Sequence, residues 1–243
     1  MRNCIFIIAL WWCMACERGQ LKPIALSRDS ISVPMAAPVA AASHPSSPDN
    51  ILTRLKAGNA NFVSKFSFVN VHSDSSYSYY DQIVKTGHEQ HPIAAVLTCM
   101  DSRVPPEIIF DQGIGNLFVL RVAGNIQDDD ILGSIEYAVA EKGVNLIIVM
   151  GHTNCGAIAA AFGNVDSSAK ELYELIAHVK RAVVPNDQPP YDATAKNNVA
   201  LTMADILQHS GTVKKKYEDN ELMLVGALYD VSNGKVIWKE PGW

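Results

Sequence analysis

Three short apolar runs, none of them alternating with polar residues, restrict the possible folds of this chain more than any other feature. They cover residues 93–98, 117–122 and 145–150. Continuous runs of this length are typical of strands buried on both faces, as in parallel sheets with helices on each side. The segments between the runs can form such helices, most clearly residues 130–141.

The C-terminal part of the chain continues this pattern and then changes it. Amphipathic helices are predicted around residues 170–184 and 194–209, and the last stretch reads "ELMLVGALYDVSNGKVIWKE". Its Asn233-Gly234 pair is a typical hairpin turn between two strands. We therefore predict an α/β domain with a mostly parallel central β-sheet, an antiparallel edge and flanking helices.

Order is expected to begin near residue 49. Asp49 or Asn50 can cap a helix that carries apolar residues at helical spacing, from Ile51 to Phe66. The stretch "HSDSSYSYYDQ" that follows is interpreted as a polar loop, and its tyrosines as packing or interface residues.

The first sixteen residues have the features of an export signal. Arg2 precedes an apolar stretch, residues 5–12, that is too short to span a bilayer. The end of this segment resembles a bacterial lipoprotein signal, in which cleavage would leave a lipidated Cys16 at the new N-terminus. Cys13 and Met14 depart from the usual cleavage pattern, and an uncleaved anchor or a mistranslated leader is the alternative.

A segment rich in proline, alanine and serine follows this signal. It has little apolar bulk to bury, so residues 17–48 are predicted to be a flexible tether. The chain then divides into a signal (1–16), a tether (17–48) and a folded domain (49–243). This organisation predicts an exported, periplasmic protein that meets a bacterial membrane only through its lipid anchor.

Charge and cysteine content argue against two classes of protein, nucleic-acid-binding proteins and disulfide-rich scaffolds. The formal net charge is −5 and the basic residues do not cluster, so no nucleic-acid partner is expected. Of the five cysteines, only Cys99 and Cys155 lie beyond residue 16, which rules out a disulfide-rich scaffold.

Potential metal ligands follow two of the predicted strands. Cys99 comes directly after the first run, while His152 and Cys155 follow the third. Because ligands gather beyond the carboxyl ends of parallel strands, these side chains are expected to converge. Two thiolates and an imidazole suit zinc, and three protein ligands leave a fourth position for water, as in catalytic zinc sites. An oxidised Cys99–Cys155 pair is the alternative in an exported protein.

Two motifs make the sequence similar to the β-class carbonic anhydrases. They are "CMDSR" (residues 99–103) and "GHTNCGAI" (151–158), separated by "IIFDQGIGNLFVLRVAGN" and "GSIEYAV". The resemblance covers about residue 50 to the C-terminus. It implies the β-carbonic anhydrase fold, one zinc ion per chain, and reversible hydration of CO2 to bicarbonate by zinc-bound hydroxide.

The same motif offers a group that could orient the hydroxide. An ionised Asp101 can only accept hydrogen bonds, so it can take the proton of the hydroxide and direct a lone pair at CO2. Arg103 can bind that carboxylate with two donors and keep it charged. The alternative is a surface ion pair of little energetic value.

Further site residues are implied by the resemblance alone. Gln90 corresponds to a substrate-side glutamine, Phe118 and Tyr137 to pocket positions, and the Gly156 backbone to a position beside the third ligand. In the family the pocket lies across a dimer interface, which implies a homodimer or a larger homo-oligomer here. Two other functions stay open: hydrolysis of carbonyl sulfide or carbon disulfide, and zinc binding without turnover.

Overall fold

The computed structural model describes residues 47–64, 79–240 and 243. The predicted signal with Cys16, and the predicted tether as far as residue 46, lie outside the described residues. Within the part of the chain that the structure describes, no helix is long and apolar enough to cross a membrane.

A five-stranded sheet forms the centre of the domain. Its strands are β1 (Ala94–Thr98), β2 (Leu117–Arg121), β3 (Leu146–His152), β4 (Met223–Tyr229) and β5 (Val236–Trp238). The spatial order is β2-β1-β3-β4-β5, in which the first four strands are parallel and β5 is antiparallel to β4. The predicted fold class is thus confirmed, including its antiparallel edge.

Eight helices accompany the sheet in the described residues. They are α1 (Pro48–Val63), α2 (Tyr79–Thr86), α3 (Pro106–Ile109), α4 (Asp129–Ala140), α5 (Gly156–Ala161), α6 (Lys170–Lys180), α7 (Asp192–His209) and α8 (Gly211–Glu218). A short 3₁₀ turn, Ala123–Asn125, follows β2. The helix predicted between the apolar runs corresponds to α4, and the two predicted amphipathic helices correspond to α6 and α7.

Both faces of the sheet are buried at β1 and β3, as the continuous apolar runs predicted. The prediction fails for β2, which lies at the edge of the sheet and is only partly buried, with Arg121 exposed. On one face, Val96 and Ile148 pack in a cluster with Leu55 of α1 and Phe110 beyond α3. On the other face, the cluster includes the strand residues Leu97, Ile147 and Val149 and the helix residues Ile135, Val199 and Val213. Because successive strand residues point to opposite faces, a strand between two helical layers must be apolar at every position.

The N-terminal helices differ from the sequence prediction in two respects. Ser47, rather than Asp49 or Asn50, caps α1, and its hydroxyl accepts a hydrogen bond from the Asn50 backbone. The stretch predicted as a polar loop ends in α2, which begins at Tyr79 and turns Tyr80 outward, 73% exposed. A helix of only eight residues has too short an apolar stripe to be recognised among polar neighbours.

The fold brings two strand ends together at the predicted metal site. Cys99 directly follows β1, His152 is the last residue of β3, and Cys155 is the N-cap of α5. Gly151 allows α7 to approach β3 there, because a Cβ atom would lie 2.9 Å from Val199 Cγ2. Two neighbouring parallel strands, β1 and β3, thus bring together ligands that are more than fifty residues apart in sequence. The ligands meet beyond the carboxyl ends of these strands.

Candidate metal centre

The three predicted ligands form a compact, buried cluster. The ligand atoms of Cys99, His152 and Cys155 lie within 4.8 Å of one another. Their residues are 4%, 1% and 3% exposed, respectively. Within the described residues, this is the one group of three or more histidine, cysteine and acidic side chains that could hold a metal ion.

The chemistry of the cluster fits zinc. The two sulfur atoms are 3.9 Å apart, close to the separation of about 3.8 Å that two Zn–S bonds of about 2.3 Å at a tetrahedral angle require. His152 Nδ1 lies 2.9 Å from the Thr153 carbonyl oxygen. Because a carbonyl only accepts, Nδ1 carries the proton and Nε2 keeps its lone pair. Nε2 is buried without a hydrogen-bond partner, as expected of an atom reserved for a metal.

Both thiols are free, so the structure does not contain the alternative disulfide. The hydrogen bond from the Cys155 thiol lowers the pKa of Cys99 to about 4, assisted by the backbone N–H groups of Asp101 and Gly124. The hydrogen bond with Cys99, together with burial, raises the pKa of Cys155. The two shifts have opposite directions because each sulfur is the hydrogen-bond partner of the other, and zinc binding would require both thiols to lose their protons.

Asp101 and Arg103 lie directly beside this cluster. Asp101 Oδ1 accepts hydrogen bonds from the Arg103 backbone N–H and from Nε, both at 2.9 Å, and Oδ2 accepts from Nη2 at 2.7 Å. The backbone contact is an Asx turn, so the local sequence already favours this arrangement. The Arg103 hydrogen bond holds the pKa of Asp101 well below its usual value. The carboxylate is thus ionised at neutral pH, with Oδ2 4.0 Å from His152 Nε2.

A second set of contacts supports His152 from the neighbouring strand. The Thr153 carbonyl that orients the imidazole belongs to a residue tied to β4 by its own N–H, which donates to Tyr229 at 2.9 Å. The Thr153 hydroxyl accepts from Val231 N–H at 3.1 Å and lies 3.5 Å from Asp230 Oδ1. Thr153 was not among the residues predicted from the sequence, although its place next to His152 in "GHTNC" was a usable signal.

The turn after β2 also supports the site and was not predicted. Gly124 has φ = 71°, and its backbone N–H is one of the groups that lower the pKa of Cys99. A Cβ atom at this position would lie 2.8 Å from Val179 Cγ2. A glycine is therefore required both for the left-handed backbone and for the close packing of α6.

Three of the pocket residues implied by resemblance lie away from the cluster. Gln90 precedes β1 and is exposed, whereas Cys99 follows the same strand. Phe118 and Tyr137 contact each other edge to face, with ring centroids 6.5 Å apart. They line a cleft of about 580 Å³ against the edge strand β2. Gly156 is different: it begins α5 directly after Cys155, and its surroundings are open.

The sequence matches one known family over most of the domain. Residues 94–236 match the family described as carbonic anhydrase. Carbonic anhydrase 2 of Mycobacterium tuberculosis is 34% identical over 157 residues, which cover 62% of this chain and 76% of that protein. The carbonic anhydrase of Mycolicibacterium smegmatis is 32% identical over 188 residues, covering 75% of this chain and 88% of its own.

Solved structures of the β class share the fold. The β-carbonic anhydrase CcaA is 25% identical, with a TM-score of 0.59 over 78% of this chain and 95% of its own. The Coccomyxa β-carbonic anhydrase, solved with acetazolamide, is also 25% identical, with a TM-score of 0.59 over 77% and 85% of the two chains. The parallel sheet, the Cys-His-Cys cluster and these likenesses agree, and the chain belongs to the β-class carbonic anhydrases.

Proposed function

We propose that this carbonic anhydrase hydrates CO2 reversibly to bicarbonate and a proton at a zinc ion held by Cys99, His152 and Cys155. The observation that carries the proposal is the position of Asp101. Its ionised carboxylate lies 4.0 Å from the unpartnered Nε2 of His152, beside the three ligand atoms. Zinc binding alone does not require a carboxylate there, which argues against a binding module without turnover.

The residues of the site divide the chemistry between them. When bound, zinc acts as a Lewis acid and lowers the pKa of coordinated water. Asp101 supplies acceptors only, so it accepts a hydrogen bond from the O–H group of the nucleophile. This hydrogen bond turns a lone pair of the nucleophile's oxygen towards the carbon of CO2. The new C–O bond gives bicarbonate, and the proton removed from water leaves to solvent.

Arg103 keeps Asp101 available for this task. Its three donor contacts occupy both carboxylate oxygens from the side, and Nη2 also donates to the Asn154 carbonyl oxygen at 3.2 Å. Arg103 thus ties the Asp101 turn to the loop that carries Cys155. A two-pronged guanidinium contact fixes the plane of a carboxylate, which a lysine cannot do.

We also propose that the site is completed by a second copy of this chain. Nine residues of extended chain span up to about 30 Å, and Gln90 and Cys99 lie at opposite ends of β1. Gln90 therefore reaches a substrate only in a neighbouring subunit. Phe118 and Tyr137 form an open cleft at the edge strand β2, where a second subunit can approach. A homodimer is the smallest assembly that meets this requirement.

The experiment that tests the function is stopped-flow CO2 hydration on purified protein whose zinc content is measured in the same sample. We expect turnover and one zinc per chain. Cys99→Ser is expected to lose most of the zinc and the activity together, because the hydroxyl does not ionise as a thiol does. Full zinc content in this variant would remove Cys99 from the ligand set, and zinc-loaded wild-type protein without turnover would refute the function.

For the N-terminal residues we propose export and lipid anchoring through Cys16, on the strength of the signal-like sequence. Wild-type protein expressed in a bacterium is expected to fractionate with membranes and to incorporate labelled fatty acid. Cys16→Ser is expected to lose the label and to be released or mislocalised, because the attached chains supply the membrane affinity. Unlabelled wild-type protein would refute the anchor.

A further inference from the structure

Arg121, the last residue of β2, contacts the main chain of the segment that carries Cys99 and Asp101. Thr98 and Arg121 are paired in the parallel register, so the arginine lies beside the point where β1 ends. Its Nε donates to the Cys99 carbonyl oxygen at 3.2 Å, and its Nη2 donates to the Asp101 carbonyl oxygen. One guanidinium therefore binds the backbone of a metal ligand and of the proposed orienting carboxylate.

Packing fixes the two ends of this segment, where Cys99 is 4% and Val104 0% exposed, but not its middle. Met100, between the two carbonyl groups, is 64% exposed, and Arg103 has a side chain that is 50% exposed. Apart from the Arg121 contact, Asp101 is held by its own turn: Val104 N–H donates to its carbonyl oxygen at 3.1 Å, and Arg103 binds its carboxylate. These contacts fix the shape of the turn, and Arg103 Nη2 also ties it to the Asn154 carbonyl oxygen at 3.2 Å, but none of them reaches β2. Arg121 makes that connection.

The roles of the two arginines differ in kind. Arg103 bonds to the carboxylate and holds its pKa low, whereas the hydrogen bonds of Arg121 go to carbonyl oxygens. The planar fork of an arginine can reach two acceptors at once, which the single ammonium group of a lysine cannot do with the same geometry. Hydrogen bonds to charged donors are also stronger than neutral ones.

We infer that Arg121 is a positioning residue, which holds the Cys99–Asp101 backbone against β2 so that the thiolate and the carboxylate keep a fixed separation. This inference rests on the proposed function. Residues that orient metal-site groups from behind typically change affinity or activity by about 10- to 100-fold when they are replaced. The larger effect is expected on turnover, because Cys99 is also held by β1, which it directly follows, and by burial, whereas Asp101 lies further along the turn.

The test compares zinc-loaded Arg121→Met with Arg121→Lys and with a matched control, Arg181→Met. Arg181 makes an equally two-pronged contact with Asp205, between α6 and α7, at 2.8 and 3.0 Å. We expect Arg121→Met to keep its zinc and nearly all of its thermal stability, while kcat falls about 10- to 100-fold at unchanged KM. Arg121→Lys should recover part of this loss, and Arg181→Met should melt earlier with unchanged kcat.

A second readout does not depend on turnover. Hydrogen–deuterium exchange in the peptide that covers residues 99–104 should be faster in Arg121→Met than in wild type, and unchanged in Arg181→Met. Unchanged exchange and kcat in Arg121→Met would overturn the inference. Loss of zinc or of thermal stability in both Arg121 variants would also overturn the inference, because such losses are expected of a residue that stabilises the fold. Inactive zinc-loaded wild type would instead refute the proposed function, while the exchange measurement would still test the position of the segment.

Discussion

Replacing Asp101 with asparagine separates the orienting role of the carboxylate from zinc binding. The carboxylate accepts three hydrogen bonds from Arg103, two at Oδ1 and one at Oδ2. An amide of the same shape has one oxygen, so it can replace only one of the two acceptor atoms. Its NH2 group would face either Arg103 Nη2 or the backbone N–H and Nε, and in both cases donor meets donor.

The expected loss of stability is modest. A hydrogen bond to a charged group contributes about 1.5–3 kcal/mol, and a neutral one about 0.5–1.5 kcal/mol. Solvent reduces these values here, because the Arg103 side chain is 50% exposed. We therefore expect Asp101→Asn to lower the free energy of unfolding by about 1–2 kcal/mol. The zinc ligands are unchanged, so the zinc content should stay at one ion per chain.

The expected loss of turnover is larger. Removing a positioned proton acceptor typically lowers the rate by about 10²- to 10⁴-fold, which corresponds to about 3–5 kcal/mol in the activation barrier. The activation barrier should thus change more than the free energy of unfolding. The assays are stopped-flow CO2 hydration, zinc analysis and urea unfolding on the same preparation.

Asp205→Asn provides the matched control. Asp205 lies far from the metal ligands in sequence and accepts two hydrogen bonds from Arg181. The control makes the same aspartate-to-asparagine change in this second arginine–carboxylate pair. This variant should lose stability and keep its turnover. Unchanged turnover in Asp101→Asn, at full zinc content, would refute the orienting role, and an equal loss in Asp205→Asn would attribute the effect to folding.

Two further predictions concern the groups that support the ligands. Gly124→Ala should destabilise the fold by about 1–3 kcal/mol, because φ is 71° and the new Cβ would lie 2.8 Å from Val179 Cγ2. Urea unfolding measures this loss, and an unfolding curve identical to that of the wild type would contradict the strain argument. Thr153→Val keeps the side-chain shape but loses the hydroxyl that Val231 N–H and Asp230 contact. Its zinc affinity should fall by about tenfold or more in competition with a chelator, and an unchanged affinity would show that the hydroxyl does not help to orient His152.

Much of this protein could be read from local sequence. Continuous apolar runs predicted strands buried on both faces, and the structure confirms this for β1 and β3. The motif "CMDSR" contains its own turn, since an Asx turn involves residues only two apart. These features depend on neighbouring residues and on the burial pattern, which a sequence displays directly.

Only the tertiary structure decided which distant groups meet. The 3.9 Å contact between the Cys99 and Cys155 sulfur atoms joins residues 56 positions apart, and the contact of Arg121 with the Asp101 carbonyl oxygen joins residues twenty positions apart. Gln90 and Cys99, close in sequence, lie at opposite ends of β1. Strand order and register determine the two contacts, and both result from packing against the helices rather than from any local pattern. The separation of Gln90 from Cys99 follows from the extended backbone of β1 itself.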